Sequence, residues 1–191
     1  MSRPLVVACL GNPGRRYSMT WHNAGFWVAD ILSREAGVSF LNAGLFQVAE
    51  LNSGPTLMKP TVFMNGSGKA VKSFLDCKDI APEQLLVVCD DVNLDLGTLR
   101  LRGSGSHGGH NGLRNIIDCL GTESFPRLRM GVGPPPGGID LADFVLSEIP
   151  HKVEEDASVM ACRAADCVTL FYEEGLSSAQ QVYNRRPDDG S

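Results

Sequence analysis

The sequence predicts an α/β fold: a single domain on a mixed, mostly parallel twisted sheet, flanked by helices on both faces. Three observations carry that expectation. Short continuous apolar runs, such as Leu5 to Leu10 and Leu85 to Cys89, have the pattern of strands buried on both faces. Between such runs apolar residues recur at helical spacing, as at Trp27, Val28, Ile31 and Leu32. Glycine and proline cluster where one kind of pattern hands over to the other, as a fold with many tight turns requires.

Taken in chain order, Leu5 to Leu10 predicts a first buried strand and Gly11-Asn12-Pro13-Gly14 a turn. A helix is predicted from Ala24 to Ala36, with Asn23 as its N-cap and Gly37 just past its end. Phe46 to Leu51 and Thr56 to Lys59 read as strands around the turn signal Asn52-Ser53-Gly54-Pro55. Gly68 to Leu75 reads as a helix burying Val71, Phe74 and Leu75, and Leu85 to Cys89 as another buried strand. Leu99-Arg100-Leu101-Arg102 alternates, which makes one strand face apolar and the other basic; Leu128 to Val132 alternates again. Leu113, Ile116, Ile117 and Leu120 mark a helix closed by Gly121. Pro134 to Gly138 is a loop, and the last strong helix runs from about Val153 to Glu174 and stops at Gly175. One domain is expected over residues 1–186, followed by a polar tail at 187–191, without internal repeats.

Composition narrows the class. With 191 residues, 43% of them hydrophobic, the chain can bury a substantial core. Its six cysteines contain no Cys-x-x-Cys pair and read as reduced core residues of a cytoplasmic protein, not as disulfides or a zinc site. The N-terminal apolar run, about six residues, is too short for a signal-peptide core or a membrane span. A net charge of −5 disfavours a general nucleic-acid binder but leaves room for a local basic patch.

Small polar residues sit at the junctions between apolar runs and helices: Asn12, His22, Asn65, Asp90, and the pair His110-Asn111. Ligands bind at the carboxyl ends of strands in open α/β sheets, so these junctions are expected to converge on one cleft. Amides, imidazoles and a carboxylate suit hydrolysis of a polar substrate by general-base chemistry, with no cofactor. His22 is the candidate base. It lies just before a helix N-terminus, which disfavours the protonated ring, while a carboxylate such as Asp90 would favour it and hold the tautomer. The sequence leaves that balance open.

Other patterns carry less. Gly103-Ser104-Gly105-Ser106-His107-Gly108 matches G-x-G-x-x-G, but the preceding strand is amphipathic and basic, and Glu123 lies in a loop. A phosphate or sugar suits this loop better than a nicotinamide cofactor. His107 and His110, with Asp90-Asp91, lack metal-ligand spacing; one His bonding locally and the other meeting substrate is the favoured reading. No Ser or Cys stands in a nucleophile pattern, so water is the expected nucleophile. Arg100, Arg102, Arg114, Arg127 and Arg129 flank the glycine-rich loop; a polyanion partner and a merely solvated face explain them equally well.

Several of these motifs together resemble the bacterial-type peptidyl-tRNA hydrolases: Leu10-Gly11-Asn12-Pro13-Gly14 with Tyr17, His22-Asn23-Ala24-Gly25, Lys59 to Gly68, Asp90-Asp91-Val92, Gly105 to Leu113, and Arg127 to Gly133. The resemblance runs through Asp143-Phe144-Val145-Leu146 and covers nearly the whole chain. It implies a single α/β domain that cleaves the ester between a peptide and the 3′ ribose of tRNA, recycling tRNA without a metal. By the same resemblance His22 is the general base, Asp90 stabilises its basic form, and Asn12 senses the blocked amide of the peptide. Tyr17, Phe63, Asn65 and Asn111 line the site, His110 borders it, and Arg102 and Arg129 meet tRNA phosphates. Peptidyl-tRNA is the expected partner, with no membrane, no obligate protein partner and a monomeric state. Cys9, Trp21, Cys89 and Asn93 depart from the family's usual residues, and Trp21 is expected to alter the cleft rim. A non-catalytic RNA-binding relative of the same fold and a nicotinamide-binding protein are the rival readings.

Overall fold

The computed structural model describes residues 5–185. The tail expected at 187–191 lies outside the described residues. The elements follow as β1 (Val6–Cys9), α1 (Ala24–Glu35), β2 (Leu41–Asn42), β3 (Phe46–Glu50), β4 (Thr56–Pro60), α2 (Ser67–Lys78), β5 (Leu85–Asp95), β6 (Leu99–Arg102), α3 (Asn111–Leu120), β7 (Arg127–Gly133), α4 (Leu141–Leu146), α5 (Glu154–Glu174) and α6 (Leu176–Tyr183). The seven strands form one sheet in the order β2-β3-β4-β1-β5-β7-β6. The four central strands β4, β1, β5 and β7 run parallel, and antiparallel strands finish both edges. The fold class is the mixed, mostly parallel α/β domain that the apolar runs predict.

Strand alternation sorts the core into two layers. Val7, Cys9, Leu57, Leu86 and Val88 face one side, where α1 and α5 pack. Val6, Ala8, Leu10, Leu85, Val87 and Cys89 face the other, under α2 and α3. Because both faces are apolar, these strands read as unbroken hydrophobic runs. In α5 the buried face is largely small (Ala157, Ala161, Ala164 and Ala165), which lets this long helix lie close to the sheet. After β1 the chain crosses to the α1 face, and after β4 to the α2 face, so a crevice opens beyond the carboxyl ends of the central strands.

Three elements carry no sequence expectation above: β2, α4 and α6. β2 is two residues long and exposed on both. α4 has six residues, too few for a periodic signal, and buries only Phe144 and Val145. α6 covers an edge: Asn184 accepts the Leu101 N–H at 2.7 Å and donates to the Leu101 carbonyl at 3.0 Å, and Gln180 adds a bond to the same carbonyl. These side chains occupy backbone groups that an edge strand would otherwise offer to another chain. β5 extends to Asp95 rather than ending at Cys89, because β7 continues to pair with it through an irregularity after Asp91. Asp90 is therefore a strand residue.

The cysteines divide. Cys9, Cys89 and Cys167 are buried, whereas Cys77 and Cys162 are exposed and Cys119 is half-buried, so the expectation of core residues holds for three of six. Burial pushes the thiols of Cys9 and Cys167 up to about 12, which keeps them unreactive.

Candidate active site

The turn after β1 is fixed by an exchange between two amides. Asn12 donates its backbone N–H to Asn23 Oδ1 at 2.8 Å, and Asn23 Nδ2 donates to the Asn12 carbonyl at 3.0 Å. Asn23 precedes α1 but makes no side-chain cap, so its expected capping role is replaced by this tie. Asn12 Oδ1 accepts the Met64 N–H at 2.8 Å. One amide thus joins the β1 turn to the segment between β4 and α2, and its Nδ2 is left as the donor available to a ligand. A further amide absent from the sequence expectations, Asn115 of α3, accepts the Gly68 N–H at 2.8 Å and seats the start of α2.

His22 lies in a short 3-10 turn, Trp21–Asn23, directly before α1. The turn sits close to the sheet because residue 25 is glycine: a Cβ there would approach backbone atoms of Leu10 and Val88 to 2.5–2.6 Å. His22 Nδ1 lies 2.9 and 3.0 Å from the two oxygens of Asp90, which is 2% exposed. His110, before α3, accepts the Leu113 N–H on Nδ1 at 3.2 Å. Its neutral tautomer therefore carries hydrogen on Nε2, which donates to Asp90 Oδ1 at 3.0 Å. The two imidazoles are 4.9 Å apart. Burial pushes the Asp90 carboxyl up, but the two imidazoles and their hydrogen bonds outweigh it and hold the group well below the usual carboxylate range.

The ligand atoms of His22, Asp90 and His110 fall within 4.8 Å of one another, a spacing compatible with a metal. The Leu113 contact argues for hydrogen bonding instead. A metal on His110 Nε2 would move the ring hydrogen to Nδ1, against the Leu113 N–H that already points there.

A cleft opens on both sides of His22. One lobe, about 350 Å³, is walled by Asp90, Asp91, Asn93, Gly108 and Asp140. The other, about 270 Å³, is walled by Asn12, Tyr17, Phe63, Met64 and Asn65. His22, Asn111, Ala142 and Val145 belong to both. The structure thus brings together nearly every expected residue of the site; Arg102 and Arg129 do not line it, although Arg129 contacts the wall residues Asp91 and Gly108.

The arginines do not act alike. The pairing of Arg100 with Arg129 and Arg102 with Arg127 puts all four on one sheet face. Arg127 is only 1% exposed, and its guanidinium donates to the carbonyls of Gly105, Ser106, Glu123 and Phe125. It holds the glycine-rich loop and is available neither to phosphate nor to solvent, which corrects both readings of Arg127, as part of a polyanion face and as part of a solvated one. Arg129 Nε lies 2.9 Å from Asp91 Oδ2, an ion-pair contact without hydrogen-bond alignment, and its guanidinium packs against Gly108. Arg102 is exposed. The loop follows an antiparallel edge strand and is filled by Arg127, so it lacks the parallel β–turn–α setting a dinucleotide site needs. His107 bonds locally, accepting the Gly109 N–H at 3.0 Å. Trp21, expected at the cleft rim, is instead buried and stacks on Phe144 at 6.1 Å. Its bulk is apolar and α4 gives it a partner, so it anchors α4 from beneath.

An α/β domain with a carboxylate-held imidazole at the meeting of two open lobes has the arrangement of an enzyme active site. Comparison with known proteins gives the class its name. The peptidyl-tRNA hydrolase family model matches residues 6–190. The peptidyl-tRNA hydrolase of Chloroflexus aggregans is 42% identical over 184 residues, covering 94% of this chain and 98% of that protein. That of Mycobacterium tuberculosis is 39% identical over 186 residues, covering 94% and 97%. A crystal structure of peptidyl-tRNA hydrolase from Acinetobacter baumannii superposes with a TM-score of 0.89 at 32% identity, covering 96% of each chain. The chain belongs to the peptidyl-tRNA hydrolase family, and its reaction is hydrolysis of the ester bond of peptidyl-tRNA. Among the described residues, no helix is long and apolar enough to cross a membrane.

Proposed function

We propose that His22 is the general base for attack of water on the ester that joins the peptide to the 3′ ribose of tRNA. The observation that carries the proposal is the Asp90 contact. With Nδ1 held by the carboxylate, Nε2 is the ring nitrogen left to meet a water, on a side chain that belongs to both lobes. Nε2 takes a proton as the water oxygen bonds to the ester carbon. The carbonyl oxygen becomes an oxyanion, and the Asn12 Nδ2–H is the donor placed to receive it or the adjoining peptide amide. Collapse breaks the bond to the 3′ oxygen, which takes the proton back from His22. Peptide acid and free tRNA result. Asp90 remains ionised throughout and stabilises the imidazolium; His110 keeps that carboxylate in place.

The lobe lined by Asn12, Tyr17, Phe63 and Asn65 takes the peptide. Its amides match peptide groups and its aromatic rings match side chains. The lobe beside Asp91, Asn93 and His110 takes the terminal nucleoside of tRNA, and Arg102, with Arg129, meets phosphates farther along the strand. One chain supplies every group the reaction uses, so the proposal includes a monomer, working in the cytoplasm where peptidyl-tRNA is made. Release of N-acetyl amino acid from charged tRNA by wild-type protein and by His22→Asn tests the role of His22, and sedimentation tests the monomer.

A further inference from the structure

We propose that Arg16 makes the enzyme prefer peptidyl groups with acidic side chains close to the ester. The proposal rests on the reading that the Asn12–Phe63 lobe takes the peptide. The two lobes differ in charge. The nucleoside lobe has three carboxylates in its walls, Asp90, Asp91 and Asp140, whereas the walls of the peptide lobe contain none. Arg16 lies against that second wall. Its guanidinium carbon sits 4.6 Å from the centre of the Tyr17 ring, and one terminal nitrogen donates to the Tyr17 hydroxyl at 2.5 Å. The Tyr17 ring in turn stands edge-on to Phe63 at 6.1 Å.

These contacts tether the guanidinium to the Tyr17 side chain while leaving most of its donors unused. Arg16 is exposed and, among the described residues, forms no ion pair; its neighbour Arg15 adds a second unpaired charge. A tethered, unpaired guanidinium can recognise a carboxylate through paired hydrogen bonds. A Glu or Asp in the peptide, one or two residues before the esterified one, would supply it. Because the contact is solvent-exposed, the preference is expected to be about three- to fivefold in kcat/KM, and to fade as salt rises.

The test uses one tRNA carrying three peptidyl groups: N-acetyl-Glu-Glu-Ala, N-acetyl-Gln-Gln-Ala and N-acetyl-Lys-Lys-Ala. Wild-type protein is expected to cleave them in that order of kcat/KM, and Arg16→Glu to reverse the order. An unchanged order in Arg16→Glu overturns the proposal. So does an equal fall for all three substrates, which would place Arg16 on a tRNA phosphate. Titration with the free N-acetyl-Gln-Gln-Ala peptide separates the two levels of the argument. If the side-chain amide resonances of Asn12 and Asn65 shift while the order stays unchanged, only the role of Arg16 fails. If neither amide shifts, the lobe assignment fails as well.

Discussion

Asp90 is shared by two imidazoles: His22 Nδ1 approaches both of its oxygens at 2.9 and 3.0 Å, and His110 Nε2 approaches one at 3.0 Å. The two contacts differ in consequence. The His110 ring is closed at its other nitrogen by the Leu113 N–H, which leaves both of its nitrogens engaged. Nε2 of the His22 ring has no such contact among the described residues, and in the proposed mechanism it is the nitrogen that meets the water. In the proposed mechanism one backbone N–H thereby gives two chemically similar residues separate tasks.

Replacing Asp90 by Asn removes the negative charge shared by the two imidazoles and turns one of its two acceptor oxygens into an NH2 donor. Activity is expected to fall on the order of tenfold to a hundredfold, less than on loss of the base itself. Asp90 also links stability to pH. Its folded-state carboxyl is held below the unfolded value of 3.8, so its stabilising contribution is fully present above that pH and is lost as pH falls through the folded-state value. Thermal melts of wild type and Asp90→Asn are expected to differ most above pH 4 and to converge toward pH 2. A constant gap would contradict the geometry.

Asn12→Asp keeps the acceptor for the Met64 N–H but removes the Nδ2 donor of a residue that lines the cleft. The loss in kcat/KM for N-blocked substrates is expected to be roughly tenfold to a hundredfold, the scale of an unmet hydrogen bond at a desolvated site. Steady-state cleavage of N-acetyl-aminoacyl-tRNA checks it; parental activity and selectivity would show that Nδ2 does not contact the substrate.

Arg102 and Arg127 should separate cleanly. Arg102→Ala is expected to raise KM for full tRNA substrates, lower the salt slope by about one unit at most, and spare a minimal 3′-fragment substrate. Arg127→Ala leaves four carbonyl acceptors without their donor and is expected to destabilise the fold by about 2–4 kcal/mol, with little specific effect on salt dependence. Denaturant titration beside salt-dependent kinetics distinguishes them. Similar stability losses in both variants would refute the contrast.

Gly25→Ala tests how His22 is placed. The added methyl meets Leu10 and Val88 backbone atoms at 2.5–2.6 Å, which only a shift of α1 can relieve. Destabilisation of about 1–3 kcal/mol is expected, together with reduced kcat. A folded variant with wild-type kcat would mean that the site tolerates movement of α1.

Much of this arrangement is legible in the sequence because it follows local patterns. The buried runs at Val6–Cys9 and Leu85–Cys89 announce parallel strands, and the polar residues just beyond them announce the cleft. What stays hidden depends on contacts between distant segments. Alternation correctly pairs Arg127 with Arg129 on one face, yet nothing local says that the glycine-rich loop folds back to bury the first. Asn23 has the composition of a cap, but the Asn12 backbone competes for its side chain and wins. The His110–Asp90 bond spans 20 residues and exists only because α3 returns its N-terminus to the end of β5. α4 is too short for periodicity to reveal, although Trp21 and Phe144 depend on each other across it.

The central claim is that His22, held by Asp90, activates the water. Its most direct test is single-turnover release of N-acetyl amino acid from charged tRNA by wild type and His22→Asn, each checked for an unchanged melt and unchanged tRNA affinity. A loss of about 10²- to 10⁴-fold in the chemical step, with binding preserved, is expected. A His22→Asn protein that binds tRNA normally and cleaves at near wild-type rate would contradict it.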